Sequence, residues 1–508
     1  MNAALPIGVL NATVAQEQIS AQWDRDIVAR LSDYIAVPAK SPMFDPDWVQ
    51  HGHIESVVQS AASWVQSQKV AGLTLEIVRL PGRTPVLFVE VAAFSGATKN
   101  KAACANTESA AGQNVLMYGH LDKQPEFSGW RADLGPWTPV YQDGKLYGRG
   151  GADDGYAIYT AIAAIQALQA QHVAHPRIVG VIETCEESGS YDLLPYLDAL
   201  RPRLGDVGLV ICLDSGAGNY DQLWLTNSLR GMASGTLKVQ VLSEGIHSGD
   251  ASGLVPSSFR ILRHLLDRLE DSATGRLLPQ QFHCEVPADR MAQAQATAVI
   301  LGDELYKRFP WANSSCVSDC GASNSQSMLP TTQDPLQALL SRTWIPTLSV
   351  TGVDGMPNLQ NAGNVLRPYT AFKLSLRLPP LVDAGTAVAQ LKTMLEDNAP
   401  YQARVTFSPD SHASGWNAPS SAPWFEQAVQ AASQSCFGAP CGYIGQGGTI
   451  PLMSMLSTGF PKAQMMVCGV LGPKSNAHGP NEFLHVPYAK KLTAAVAQVL
   501  AAAATGSK

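Results

Sequence analysis

Three apolar runs in the first half of this chain stop at a histidine or an acidic residue. VLMYGHLD ends at His120 and Asp122, RIVGVIE (177–183) at Glu183, and GLVICLD (208–214) at Asp214. Helical periodicity separates such runs, as between Ala157 and Gln171. Continuous apolar strands alternating with helices demand a sheet covered on both faces, which is the signature of a largely parallel α/β core. Ligands of such sheets lie outside the carboxyl ends of the strands, and His120, Glu183 and Asp214 sit at those ends.

The pattern has further parts. Residues from about Ile19 to Val70 carry apolar positions at three- and four-residue spacing and are expected to be helical. Short β-rich runs follow at 73–80 and 86–94, then a polar, Ala-rich stretch from Ser95 to Gln113 that reads as a surface loop. Near Gly231 the character changes. GTLKVQVLSE alternates, AFKLSLRLPP (371–380) alternates again, and a helix (Val382 to Asp397) and the strand ARVTFS come after it. Alternating strands with helices on one face imply an α+β insert. The expected organisation is therefore a catalytic domain over 1–230, an α+β domain over 231–412, and the first domain resumed over 413–508.

Composition narrows the function. The net charge of -7 and the lack of Lys/Arg runs argue against a nucleic-acid or polybasic membrane partner. No stretch approaches the ~20 apolar residues of a spanning helix. The N-terminus lacks the basic and apolar regions of a signal peptide, so a cytoplasmic enzyme is expected. Nine scattered cysteines suggest no disulfide framework, and the close pairs Cys316/Cys320 and Cys436/Cys441 are expected to be reduced.

Four segments carry candidate chemistry. In GHLDKQP, His120 offers a ring nitrogen to a metal, and Asp122 is placed to fix its tautomer through the other nitrogen. In GRGGADDGYA, Asp153 and Asp154 repel each other unless a cation is near, though one of them also suits a helix N-cap. In ETCEESGS, Glu183, Glu186 and Glu187 follow an apolar strand, where three carboxylates are costly without metal or shifted pKa values. In SNAHGPNEFLH, His478 follows the apolar run AQMMVCGV. Together they supply the mixed nitrogen and oxygen donors of a two-metal catalytic site, with zinc or manganese favoured.

These segments, with CLDSG, GIHSGDASG and GQGGTIP, occur in the order and at the spacings of the M20 metallopeptidases, and most resemble the carnosinase and PepV-like dipeptidase branch. The resemblance implies an α/β catalytic domain with mostly parallel sheet, interrupted by a smaller lid that also makes a homodimer. It implies two divalent metals, zinc or manganese, held by His120, Asp153 as bridge, Glu187, Asp214 and His478. Asp122 resembles the residue that orients His120, and Glu186 the general base acting on a metal-bridged hydroxide. A cis peptide after Asp153 is part of the same pattern. His247 resembles a lid histidine that reaches the neighbouring subunit's site, and Arg377 a lid arginine that holds the substrate carboxylate. Gln446, Gly447, Gly448 and Thr449 resemble a substrate loop.

There are two departures. The family's DDKG reads Asp153-Asp154-Gly155-Tyr156 here, and the Glu that the branch often carries for a free substrate amino group is replaced by Gln446. A dipeptide is the expected substrate, with an N-acyl amino acid or another small amide as the alternative.

Overall fold

The computed structural model describes residues 9–96, 113–309, 311–312, 328–448 and 451–505. Most of the polar stretch between Ser95 and Gln113, the pair Cys316/Cys320 and Thr449 lie outside the described residues. The chain divides into two compact units. One comprises 1–226, 418–444 and 455–508, and the other 227–417 and 445–454. The segment Gly445–Ser454, expected with the resumed first domain, groups with the second unit instead.

In the first unit a six-stranded sheet is built from β1 (Leu73–Val78), β2 (Val86–Val91), β3 (Asn114–His120), β4 (Ile178–Glu183), β5 (Val207–Cys212) and the strand Gln464–Val467. Its order is β1-β2-β4-β3-β5 and then 464–467. The last four of these strands run parallel, while β1 and β2 add an antiparallel edge. Strand β4 is buried at every position, and β3 at all but its first. That explains their unbroken apolar sequence, because helices cover both faces of a parallel sheet. The crossover helix α1 (Ala157–Ala170) is apolar nearly all round and buried along most of its length, as a helix inside a large core must be. Pairing sets His120 beside Glu183 in register at the strand ends.

The N-terminal region is not one helix. One helical run covers 12–35, with a π-helical turn at Trp23–Ile27, another covers His53–Ser67, and the chain leaves helical geometry over 36–47. Pro38, Pro46 and the turn formers around them interrupt what apolar spacing alone suggests.

The second unit holds a four-stranded antiparallel sheet of β6 (Gly231–Gln240), β7 (Thr347–Asp354), β8 (Tyr369–Leu378) and β9 (Arg404–Ala413), in the order β7-β8-β6-β9. Leu237 and Val239 of β6 and Leu374 and Leu376 of β8 face a core shared with α2 (Ser258–Leu266) and α3 (Ala384–Glu396). The alternation seen in the sequence is thus one buried face of a sheet whose strand β7 stays largely exposed. Among the described residues no helix is long and apolar enough to cross a membrane. The six described cysteines are all free.

Candidate metal centre

The centre is assembled at the carboxyl ends of the parallel strands of the first unit. His120 ends β3 and is fully buried. Its backbone approach requires the preceding glycine. A Cβ at Gly119 would stand 2.8 Å from Oδ2 of Asp154 and 2.5 Å from Cβ of Ala157. His120 Nδ1 lies 3.1 Å from the carbonyl oxygen of Asp122 and 3.5 Å from its Oδ1. The carbonyl and the carboxylate of Asp122 thus both face the same ring nitrogen.

The Asp122 carboxylate has another task. Oδ1 accepts the backbone N–H of Glu186 at 3.1 Å, and Oδ2 accepts that of Glu187 at 3.0 Å. A short turn over Glu186–Ser188 follows β4, so this grip fixes both glutamates against the β3 strand end. Lys123, the next residue, is buried and donates to the carbonyls of Tyr34 at 2.6 Å and Val37 at 2.7 Å, anchoring the loop from beneath.

The Gly-rich segment brings Asp153 in from the start of α1. The Asp153–Asp154 peptide bond is cis. His120 Nε2 is 3.5 Å from Oδ1 of Asp153 and 3.9 Å from Oδ2 of Asp214. His478 Nε2 is 2.9 Å from Oδ2 of Asp153 and 3.3 Å from Oε2 of Glu187. Glu187 also accepts a hydrogen bond from the Gln124 side chain. Neither Asp153 nor Asp154 caps α1, since the residue before that helix is Tyr156 and no side chain caps it. Asp154 is buried, and among the described residues neither of its carboxylate oxygens has a hydrogen-bond partner.

The electrostatics are those of a site short of positive charge. Burial, with Asp153 and Asp122 adding, pushes Asp214 up to about 6. Burial also raises Glu186, with Asp214 next, and raises Glu187, with Asp153 next. Asp153 alone goes down. Its burial is outweighed by hydrogen bonds from His120 and His478. Four carboxylates around one buried imidazole repel one another unless cations lie among them.

The donors fit metal ions. Ligand atoms of His120, Glu186 and Asp214 lie within 4.8 Å of one another, as do those of His120, Asp153 and Glu187. Among the described residues, His120 Nε2 and Glu187 Oε1 are buried without a hydrogen-bond partner, as expected of atoms whose partner is an ion. No cysteine belongs to either group, which separates them from a closed structural zinc site. Glu186 falls in the first group by position, although the family resemblance gives it the role of base.

A supporting layer escaped the sequence reading. Tyr118 and Ser190 donate to Oε1 of Glu183 at 2.6 and 2.9 Å, and burial, with Asp122 adding, pushes Glu183 up to about 7. Arg149 and Glu482 form a fully buried ion pair. Glu482 Oε1 accepts the N–H of Gly150 at 2.9 Å, and Arg149 donates to the Gly479 carbonyl at 2.9 Å. The pair thus ties the Asp153 loop to the His478 loop. Its signal in the sequence is only the proximity of Arg149 and Glu482 to the two motifs.

The remaining predicted residues belong to the second unit. His247 is exposed, and its Nδ1 accepts the N–H of Gly249 at 3.1 Å. Arg377 lies on β8, half-buried, opposite Met232 of β6. Gln446 ends a short strand, and Gly447 and Gly448 follow it.

A parallel α/β sheet with imidazole and carboxylate donors gathered at its strand ends is the architecture of a metal-dependent hydrolase. The chain belongs to the peptidase family M20/M25/M40, whose model matches residues 116–502. It is 28% identical over 389 residues to a cysteinylglycine-S-conjugate dipeptidase of Corynebacterium striatum, covering 74% of this chain and 79% of the relative. It is 26% identical over 370 residues to the Beta-Ala-His dipeptidase of Homo sapiens, covering 70% and 68%. The fold is that of human carnosine dipeptidase 1, with a TM-score of 0.70 at 22% identity over 98% of this chain and 100% of that one. The protein is a dipeptidase-like metallopeptidase.

Proposed function

We propose that the protein hydrolyses the peptide bond of dipeptides with two divalent metals, zinc or manganese. His120, Asp153, Glu187, Asp214 and His478 would hold these ions. The observation that carries this reading is the convergence of two donor groups on His120, beside a Glu186 whose turn is fixed by Asp122. Dipeptidases among the relatives support the substrate class.

When bound, the ions supply Lewis acidity to the scissile carbonyl and lower the pKa of water. Glu186 takes the proton of the attacking water and returns it to the leaving amine. Burial, with Asp214 adding, raises its carboxyl, which makes it a stronger proton acceptor than a free carboxylate. Asp122 keeps Glu186 in place through the backbone. Arg377 holds the substrate carboxylate by a bidentate contact, and the loop Gln446–Thr449 lines the substrate. His247, exposed on its own unit, serves the site of a second copy in a homodimer, where it donates to the scissile oxygen. The free cysteines suit a reducing compartment such as the cytoplasm.

A second reading is favoured by Gln446. A neutral amide there removes the counter-charge for a free substrate amino group, which points to an N-acyl amino acid. Hydrolysis of Ala-Ala, β-Ala-His and N-acetyl amino acids, each with and without chelator, separates the two. Chelator-sensitive cleavage of free dipeptides is the expected result. Cleavage of acyl compounds alone replaces the dipeptidase reading with a deacylase.

A further inference from the structure

Within the first unit the metal centre opens to solvent on one side. Of the five proposed ligands, His478 alone is exposed, with 54% of its side chain accessible, while His120, Asp153, Glu187 and Asp214 are buried. The loop 124–131 lies along this opening. At its start the Gln124 side chain donates to Oε2 of Glu187 at 2.5 Å, and at its end the backbone N–H of Arg131 donates to the Asn481 side chain at 2.7 Å. A Cβ on Gly129 would stand 3.4 Å from Cγ of Pro480, so the loop runs in contact with the segment that carries His478. Phe127 stands between these two anchors. Its φ is 49°, and it is 52% exposed. On the Glu187 side, Met43 is 64% exposed, and its backbone N–H donates to Ser188 Oγ at 2.9 Å.

Single exposed apolar residues are ordinary on a protein surface. Phe127 differs in two ways. A left-handed backbone suits Gly or Asn and is an outlier for a bulky side chain, so this position holds an aromatic against its local preference. Residues strained in this way cluster at active sites and ligand clamps. The charges around Phe127 are also matched already. Glu126 pairs with Lys40 at 3.1 Å, and Arg131 pairs with Asp133. Arg149, whose guanidinium is 5.9 Å from the Phe127 ring centroid, pairs with Glu482. These pairings leave the loop to present apolar surface beside His478. We infer that Phe127 and Met43 form an apolar subsite that takes the hydrophobic side chain of a dipeptide, and so favour substrates with a large apolar residue. The inference rests on the dipeptidase reading and names the substrate class within it.

The test compares kcat/KM of the metal-loaded enzyme for Ala-Ala, Leu-Ala and Ala-Leu. One of the leucine peptides should exceed Ala-Ala by roughly tenfold, mostly through KM, as a few buried methylenes provide. Phe127→Asn removes the ring and suits the left-handed backbone, so the thermal midpoint should hold or rise while the preference falls to about twofold. Phe127→Leu should keep part of the preference. Met43→Ser, at an exposed position, should lower it as well and supplies the reading if Phe127→Asn proves unstable. No leucine preference in the wild type, or a preference unmoved by both Phe127→Asn and Met43→Ser, overturns the inference. A preference that falls only together with a lowered midpoint in both variants makes the two residues structural and overturns it too. If no dipeptide is cleaved, the dipeptidase reading fails by itself. The subsite is then tested by calorimetry with leucine against alanine on the same protein. Tighter leucine binding that weakens in Phe127→Asn sustains the subsite, and equal binding removes it.

Discussion

Asp122 grips Glu187 and its neighbour Glu186 by their backbones, 3.0 and 3.1 Å from its two carboxylate oxygens, while its own carbonyl faces His120 Nδ1. One residue therefore sets the position of the imidazole and of both glutamates. Asp122→Asn replaces one acceptor oxygen with an NH2 group that faces a backbone N–H. The expected loss is ~10- to 100-fold in metal affinity, the usual effect of disturbing groups that orient ligands. Metal titration followed by dialysis reads it directly. An Asp122→Asn protein that binds metal as tightly as the wild type shows that the grip has no bearing on the ligands.

Glu186→Gln keeps the shape of the side chain and removes its ability to accept a proton. Turnover should fall by ~10²–10⁴-fold, the range for loss of a general base. Metal content should stay at two ions per chain if Glu186 is only the base. It should drop if Glu186 is a ligand, as its position near His120 and Asp214 also permits. Elemental analysis beside kcat distinguishes the roles, and full activity excludes both.

The sheet was legible because β3, β4 and β5 are buried on both faces and so are apolar without interruption. The second sheet was legible from the alternation in Leu237, Val239, Leu374 and Leu376, which share one core. The interruption at 36–47 was not, because turn residues there outweigh apolar spacing on either side. Nor did the sequence disclose that Asp122 also holds the backbone N–H groups of Glu186 and Glu187, a grip that depends on the turn after β4. The partnership of Arg149 with Glu482 spans 333 positions and leaves no local pattern.

Arg149 and Glu482 are almost wholly removed from water, with side-chain exposures of 1% and 0%. Glu482→Gln leaves the guanidinium buried without its counter-charge. Such a break costs ~3–5 kcal/mol, far more than the net value of an intact pair. Urea denaturation of the metal-loaded protein should show this as a lowered midpoint. Replacing both residues, Arg149→Met with Glu482→Leu, should recover much of the loss. A Glu482→Gln midpoint equal to that of the wild type would mean that the pair contributes no structural constraint on the loops bearing Asp153 and His478.

The acidity of the centre sets a pH dependence whose sign depends on metal. Burial, with Asp153 and Asp122 adding, raises Asp214 from its ordinary 3.8 to about 6 in the folded chain. The folded state thus binds a proton more readily than the unfolded state. Its contribution to stability is complete below 3.8 and is lost as pH rises through 6. In chelator-treated protein, the stability difference between Asp214→Asn and the wild type should therefore grow in favour of the variant from pH 4.5 to 7, with a slope of at most ~1.4 kcal/mol per pH unit for one proton. Metal reverses the order, because the ionised carboxylate is the ligand and protons compete with the cation. The wild type should gain more from zinc or manganese at pH 7 than at pH 5, and Asp214→Asn should gain less at either. Thermal midpoints measured over this range, with and without added cation, check both signs. A variant that tracks the wild type at every pH in chelator would show that Asp214 is not held against its own charge.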